Sequence, residues 1–473
     1  MSEWSSFDTI SKGKGIWLID SKNNKIIDAV GSMWCNVWGH SNPQLVKAIT
    51  TQSKKIQHSS LFNLTNEPVE KLAKKLVKIS PGMNKVFYSD NGSSAMEIAI
   101  KMALQYWKNI GEAKKTQIAT VENGYHGDTF GAMSVGYVPE FFGKFKKQLF
   151  STIQFPVPNK YRIPKGFTFL DYQNDCLEKI EKRFSKNDDI AAFIMESGAQ
   201  MAGGVIIYPK DFQKRISKLC KKYNIIFVLD EIATGFGRLG SMTQYQEQKS
   251  IPDIVAYGKM LTGGYLTMAA TLANKKIYDS FSGEFNDWKH LFHGHTYTGN
   301  PIAAAVANEN IHMYKKYDLI KKIQKTSKIF SKYYKEISDI DINPESIDFI
   351  INYNQLNAQI NFQYKNVNSN EKLNAYILDL KMTIETHSTM ANSVKIKDYS
   401  LKEKNIFGRI FDLSGDVASP YQFYLTDSTN NIISGLVYFN IKPNYDSILP
   451  AINYIENDII HLIESFNWKN YNK

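Results

Sequence analysis

Asp230 and Lys259 are the two side chains in this sequence whose types and settings carry the most chemistry. Asp230 closes the run Ile225-Ile226-Phe227-Val228-Leu229 and is followed by a second acid, Glu231. A short, continuous apolar run suits a strand buried on both faces of a parallel sheet. The acids then stand at its carboxyl end, where open α/β sheets bind their ligands. Lys259 follows another apolar segment, Ile254-Val255-Ala256, and precedes Thr262-Gly263-Gly264. A lone acid at a strand end is ordinarily a helix cap or a metal ligand. An acid and a lysine at the ends of two strands are instead what pyridoxal phosphate chemistry requires. The amine forms a Schiff base with the cofactor aldehyde, and the carboxylate keeps the pyridine nitrogen protonated so that the ring accepts electrons.

Other loops supply partners for such a site. Ser89-Asp90-Asn91-Gly92-Ser93-Ser94 lies between a strand and a helix expected over 95–107. Gly92 allows close backbone approach, and Ser93 offers a hydroxyl beside free helix N-terminal amides, which together suit a phosphate. Taken alone, an ordinary capped helix explains this loop equally well. Within the helix, Glu97, Lys101 and Gln105 fall four apart and line one wet edge, where Glu97 and Lys101 are expected to pair. Gly124 and Gly127 flank Tyr125-His126, which allows an aromatic ring to face a cavity, although a turn with a buried Tyr reads the same way. Met195-Glu196-Ser197-Gly198 puts a further carboxylate at a strand end. Gly31-Ser32-Met33-Trp34-Cys35-Asn36-Val37-Trp38-Gly39-His40 is either a core-packing loop or an aromatic wall against an apolar substrate. His293 and His295 suggest a metal, but no carboxylate or cysteine in their loop completes a ligand set. Thr296, before a small-residue helix, suits a phosphate oxygen instead.

The elements that must hold these loops follow from periodicity. Short runs at 15–20 and 25–28, split by Lys22-Asn23-Asn24, read as a hairpin. Strands at 85–88, 118–121, 191–195 and 225–229 alternate with longer helical segments such as 210–223, the mark of a parallel sheet with helical crossovers. A chain of 473 residues exceeds one average domain. From about residue 310 the sequence becomes rich in Lys, Asn, Ile and Tyr, with a polar stretch over 352–374, and reads as a second, smaller α+β lobe. The expected division is therefore 1–45, 46–310 and 311–473.

Charge and cysteine usage narrow the class. The net charge of +11 comes from scattered lysines. The arginines are only Arg162, Arg183, Arg215, Arg238 and Arg409, a poor equipment for reading nucleic acid, so no nucleic-acid partner is expected. Cys35, Cys176 and Cys220 lie far apart without metal spacing, which points to a reducing compartment and no metal. The stretch 1–8 lacks a basic and apolar leader pattern, and no apolar run reaches the roughly 18 residues of a membrane span. The chain reads as a cytoplasmic protein without membrane partners.

Asp230-Glu231-Ile232-Ala233-Thr234-Gly235-Phe236-Gly237-Arg238 and Gly258-Lys259-Met260-Leu261-Thr262-Gly263-Gly264, in this order, resemble the class III aminotransferases. The segments 34–37, 101–107, 124–134 and 293–296 strengthen the likeness, which covers about residues 15–310. The resemblance implies an α/β protein of the aspartate-aminotransferase-like fold (fold type I), with a mostly parallel seven-stranded sheet in a large domain and a smaller α+β domain. It implies pyridoxal phosphate as cofactor, carried by Lys259, with Asp230 on the pyridine nitrogen and Gly92 and Ser93 on the phosphate. His126 and Ile232 join the cofactor site, and Tyr125 stacks near the ring and contacts substrate. The loop matching His295-Thr296 reaches the phosphate of a second subunit, so a homodimer with interfacial active sites is implied. For a small-molecule keto acid with a long apolar chain, Met33, Trp34, Asp128 and Gly294 fall at substrate-binding positions. If the carboxyl-terminal lobe supplies the fork for the substrate carboxylate, it is Arg409, the sole arginine beyond Arg238; a surface arginine in a loop is the alternative. Three departures stand out. Met33-Trp34 replaces a frequent tryptophan pair, the N-terminal segment is shortened, and the C-terminal arginine run is reduced to Gly408-Arg409-Ile410-Phe411.

Overall fold

The structure, a computed structural model, describes residues 8–160, 162–338, 346–353, 356–367, 369–439, 444–466 and 468. Most of the amino-terminal stretch 1–8 and positions 354, 355 and 368 of the polar stretch lie outside the described residues. The chain forms two compact units, Met1–Ser331 and Lys332–Lys473. This differs from the expected division. The hairpin of residues 1–45 belongs to the first unit, and the boundary falls inside the helix Leu319–Ser338 rather than at 310.

The first unit begins with a three-stranded antiparallel sheet, β1 (Ile10–Lys14), β2 (Trp17–Asp20) and β3 (Lys25–Ile27). Its central sheet is built from β4 (Lys85–Ser89), β5 (Gln117–Val121), β6 (Ile153–Phe155) and β7 (Ile190–Glu196). After the short pair β8 (Ala199–Gln200) and β9 (Ile206–Ile207), β10 (Ile226–Asp230), β11 (Ile254–Tyr257) and β12 (Ala269–Ala273) complete it. The seven strands run in the order β4-β12-β11-β10-β7-β5-β6, with β12 antiparallel to both neighbours and the other pairings parallel. Alternate residues feed two separate cores. Phe193, Met195, Phe227 and Leu229 enter one, and Ala192, Ile194, Ile226 and Val228 the other. That two-sided burial is why these strands read as unbroken apolar runs.

Two details of packing fix the loops at the sheet's carboxyl edge. The helix Gly92–Asn109 starts earlier than expected because the Asn91 side chain accepts from Ser94 N, capping it. The expected Glu97–Lys101 pair does not form. Glu97 Oε1 instead accepts from Thr129 Oγ1 (2.5 Å), Gly131 N (2.8 Å) and Ala132 N (3.1 Å), free amides at the start of the helix Phe130–Val135. Lys101 donates to Phe292 O at 2.6 Å, and Gln105 to Lys289 O and His290 O. Unpaired backbone groups drew both side chains away from each other, since orphan helix amides are costlier to leave than a surface ion pair.

The second unit is a six-stranded antiparallel sheet of β13 (Ser346–Tyr353), β14 (Ala358–Asn366), β15 (Ser393–Leu401), β16 (Ile406–Ser414), β17 (Tyr421–Thr426) and β18 (Asn431–Phe439). Its order is β13-β14-β18-β17-β16-β15. Strand residues alternate between two cores. Ile410, Phe423 and Leu425 pack with the stripe Ile448, Ile452, Ile455, Ile459 and Ile463 of the helix Tyr445–Ser465. Phe411, Leu413 and Tyr424 pack with Leu373, Tyr376 and Ile384 of the helix Asn370–Ser388. The polar stretch 352–374 thus contains an internal strand, β14, in which buried Ala358, Ile360 and Phe362 alternate with Gln359, Asn361 and Gln363.

Candidate active site

A cavity of about 450 Å³ opens in the first unit where β7, β10 and β11 end beside the amino terminus of the helix Gly92–Asn109. Trp34, Gly92, Ser93, Tyr125, His126, Asp230, Ile232 and Lys259 all line it. Residues spread over more than two hundred positions of sequence therefore meet in one place.

Asp230 is the last residue of β10 and stands level with Glu196 on β7 and Ala256 on β11. It is buried, and both of its oxygens are occupied. Oδ1 accepts from Ile232 N at 2.9 Å, and Oδ2 lies 2.8 Å from His126 Nδ1. A carboxylate only accepts, so His126 donates from Nδ1. The other ring nitrogen, Nε2, is buried and without a partner among the described residues.

Lys259 opens a short 3₁₀ turn, Lys259–Thr262, directly after β11 and Gly258. Its φ of 41° is a left-handed conformation that a residue with a Cβ adopts at a cost of order 1 kcal/mol. The turn is held by Asn310, fully buried, whose Nδ2 donates to Met260 O (2.8 Å) and Leu261 O (2.9 Å) while Oδ1 accepts from Trp38 Nε1 (2.7 Å). The Lys259 ammonium lies 5.3 Å from the Trp34 ring centroid.

At the opposite side, two glycines keep backbone open. A Cβ on Gly92 would lie 2.9 Å from Ile232 Cδ1 and Cγ2, and one on Gly127 (φ +121°) would lie 2.0 Å from Ser93 Oγ. Ser93 Oγ accepts from Asp128 N at 3.1 Å, and the Tyr125 hydroxyl donates to Asp128 Oδ2 at 2.6 Å. Asp128 thus joins the site through its neighbours. The Tyr125 ring is backed by Phe142, stacked at 6.1 Å. Burial, reinforced by Asp128, raises the Tyr125 hydroxyl above its ordinary range.

These features fit pyridoxal phosphate. A buried carboxylate braced by a histidine suits a cationic ring nitrogen, a lysine amine lines the same cavity, and amides at a helix amino terminus beside a side-chain-free Gly92 suit a phosphate.

Met33, expected at the substrate, is 72% exposed and does not line the cavity. Ser32, Met33 and Trp34 are all left-handed (φ 50°, 62° and 67°), which turns Trp34 inward and Met33 out. Gly294 and Thr296 are exposed, while His295 Nε2 lies 3.0 Å from Asp90 Oδ1, a residue of the cavity rim. Arg409 lies on β16 of the second unit, where its Nε donates to Asp398 Oδ1 at 2.6 Å. The fork expected for a substrate carboxylate is thus engaged by an acid on its own sheet.

Sequence reading passed over two contributors. Arg238 donates from Nη2 to Trp34 O at 3.2 Å, tying the aromatic loop down; its place in the glycine-rich run after Asp230 was visible, its partner was not. Residues 264–268 line the cavity and carry no local signal beyond Gly264.

Two neighbouring carboxyls titrate far from the usual range. Burial pushes Glu196 and Glu231 up from 4.5 to about 7 each, Glu196 with Asp230 adding and His126 opposing, Glu231 despite amides from Gln244 (2.8 Å) and Tyr245 (2.5 Å). Both folded values exceed the unfolded ones, so the contribution to stability is complete below about pH 4 and is lost as pH rises through about 7. A shift of this size corresponds to about 3 kcal/mol per group. Denaturant midpoints measured from pH 5 to pH 8 are expected to fall, and Glu231→Gln is expected to flatten roughly half of that fall. Midpoints that hold steady or rise across this window would refute it.

Comparison with known proteins gives two family matches. Residues 2–347 match Aminotransferase class-III, and residues 311–468 match Gliding motility lipoprotein GldD. The chain is 47% identical over 328 residues to the adenosylmethionine-8-amino-7-oxononanoate aminotransferase of Staphylococcus aureus, covering 68% of this chain and 72% of that protein. The same-named enzyme of Aquifex aeolicus is 43% identical over 331 residues, 70% of this chain and 73% of the relative. Among solved structures, the adenosylmethionine-8-amino-7-oxononanoate aminotransferase of Methanocaldococcus jannaschii superposes with a TM-score of 0.66 at 39% identity, over 76% of this chain and 78% of that one. A PLP-bound amine transaminase from an uncultivated Pseudomonas species superposes with a TM-score of 0.64 at 31% identity, over 67% and 72%.

Proposed function

The chain belongs to the class-III aminotransferase family, and on that premise we propose that it transfers an amino group from S-adenosylmethionine to the 7-keto group of 8-amino-7-oxononanoate, a step of biotin synthesis. The convergence of Lys259, Asp230 and the open backbone at Gly92 in one cavity carries this reading. The names of the similar enzymes supply the substrates.

Pyridoxal phosphate, when bound, supplies the electron-accepting ring that holds the amino group between donor and acceptor. Asp230 holds the proton at the ring nitrogen, and His126 and the Ile232 amide fix which way the carboxylate points. Lys259 would hold the cofactor through Nζ, and its amine would be the base that moves the proton at the carbon bearing the transferred nitrogen. The amides of Gly92 and Ser93 bind phosphate oxygens. Trp34 and Tyr125 exclude water and flank the apolar chain of the acceptor.

A second copy of this chain completes the site. Phe285, Trp288 and Phe292 are 75%, 62% and 61% exposed and form an aromatic ladder with His290, leading into Gly294-His295-Thr296. An apolar patch of this kind on a protein surface marks an interaction face. Three cysteines without disulfides support a cytoplasmic location. No helix of the described residues is long and apolar enough to cross a membrane.

The test is a pair of half-reactions on chain loaded with pyridoxal phosphate. S-adenosylmethionine and lysine are offered separately as donors, then 8-amino-7-oxononanoate as acceptor, following the cofactor's visible absorption. Bleaching by S-adenosylmethionine and recovery with the keto acid is the expected result. Cofactor uptake with no response to either donor would overturn the substrate assignment. Bleaching by lysine alone would replace the donor.

A further inference from the structure

Glu196 is the last residue of β7, lines the cavity, is 3% exposed, and stands level with Asp230 on the adjacent strand. Each of its oxygens is taken by the backbone of a different loop. Oε1 accepts from Tyr125 N at 3.1 Å, and Oε2 accepts from Met201 N at 2.9 Å. Tyr125 forms one part of the cavity lining, and Met201 and Ala202 form another. The same two loops meet at two further points. Gln200 Nε2 donates to Glu122 O at 2.6 Å, and a Cβ on Gly203 would lie 1.9 Å from Asn123 O, so their backbones touch where only glycine fits.

Packing alone does not account for an acid here. A carboxylate buried beside another carboxylate is unfavourable unless its charge is used. Asp230, His126, Tyr125 and Tyr208 are the titratable groups facing it, and burial with Asp230 drives the acid toward its neutral form. What the charge provides is two acceptor oxygens at once, which a neutral amide of the same shape lacks.

We propose that Glu196 is a positioning residue of the transamination: its carboxylate clamps the Tyr125 and Met201 loops at a fixed separation and so sets the width of the cavity in which the acceptor chain lies. This rests on the transaminase reading. Both Glu196 oxygens are taken by the amides of the two walls, so it acts through them.

Glu196→Gln preserves shape and keeps one acceptor, so one of the two amides faces an NH₂ donor instead of an oxygen. In chain loaded with pyridoxal phosphate, the KM for 8-amino-7-oxononanoate is expected to rise about ten-fold or more, on the scale of losing a hydrogen bond to a charged group, while cofactor content and kcat change little. In cofactor-free chain, hydrogen exchange of peptides spanning 122–127 and 199–203 is expected to quicken. The thermal midpoint at pH 8 is expected to equal or exceed that of the parent, because a buried charge has been removed. Glu196→Asp, which keeps the charge but is too short to reach both amides, is expected to show the same KM and exchange changes. Unchanged KM in the loaded Gln variant, with unchanged exchange in its cofactor-free form, would overturn the proposal. So would a raised KM accompanied by a lowered midpoint in both variants, which is the signature of a loosened fold. A parent chain that takes up no cofactor would refute the transaminase reading, and the clamp's role in it.

Discussion

Lys259→Ala is expected to leave a folded chain to which borohydride attaches no pyridoxal phosphate, with turnover reduced by roughly three or more orders of magnitude, the scale of deleting a covalent nucleophile. The geometry makes this residue hard to replace. Its backbone is held left-handed at the end of β11, and buried Asn310 fixes the turn that follows through two carbonyls. No other lysine lines the cavity among the described residues. The fold should survive, since alanine tolerates the same backbone about as well and the removed ammonium contacts mainly the Trp34 ring. Circular dichroism and the thermal midpoint check that point. Reduced cofactor found on a peptide elsewhere, or full turnover in the variant, would sink the assignment.

Asp230→Asn is expected to lower turnover by roughly two or more orders of magnitude while leaving the borohydride-reducible link in place. A carboxylate against a ring cation is a charge-assisted contact in a site with little water, and losing such a partner to developing charge costs on this scale. The substitution also reaches His126. An asparagine must present either its oxygen or its NH₂ to Nδ1, and an NH₂ there meets the ring's N–H donor to donor, so the contact that fixes the side chain is lost. Weaker retention of the cofactor on dialysis is the second expected readout. Near-normal rates at unchanged cofactor content would refute the role of Asp230.

The two predictions concern residues that local sequence marked unaided, and the contrast with other positions is informative. The strands around Asp230 and Lys259 were readable because two-sided burial leaves no polar face, so the apolar run itself announces a central parallel strand. Gly92 reads from sequence as a point of close approach, and the structure shows Ile232 atoms 2.9 Å from where its Cβ would lie. Glu97 and Lys101 were misjudged, because helical spacing says which residues are neighbours but not which orphan backbone groups tertiary packing brings nearby. Met33 and Trp34 show the same limit. The family resemblance implies both at the substrate, and only the left-handed backbone decides that one faces the cavity and the other solvent.

The carboxyl-terminal third makes the point at larger scale. It was read as the smaller lobe of an aminotransferase, with Arg409 as its carboxylate fork. Its residues do fold as an α+β lobe, an antiparallel sheet between two helices, but they match a different family over 311–468, and Arg409 is held by Asp398 across neighbouring strands. A lone arginine has no spacing or periodicity from which a partner follows. By itself, then, the sequence determined the buried strands, the acid and lysine at their ends and the glycines beside them, because burial and backbone freedom restrict residue type position by position. The tertiary structure alone decided the partners of the polar side chains, Glu196 on two loops, Glu97 on a helix end, Arg409 on Asp398, because a hydrogen bond is satisfied by whichever group folding brings within about 3 Å.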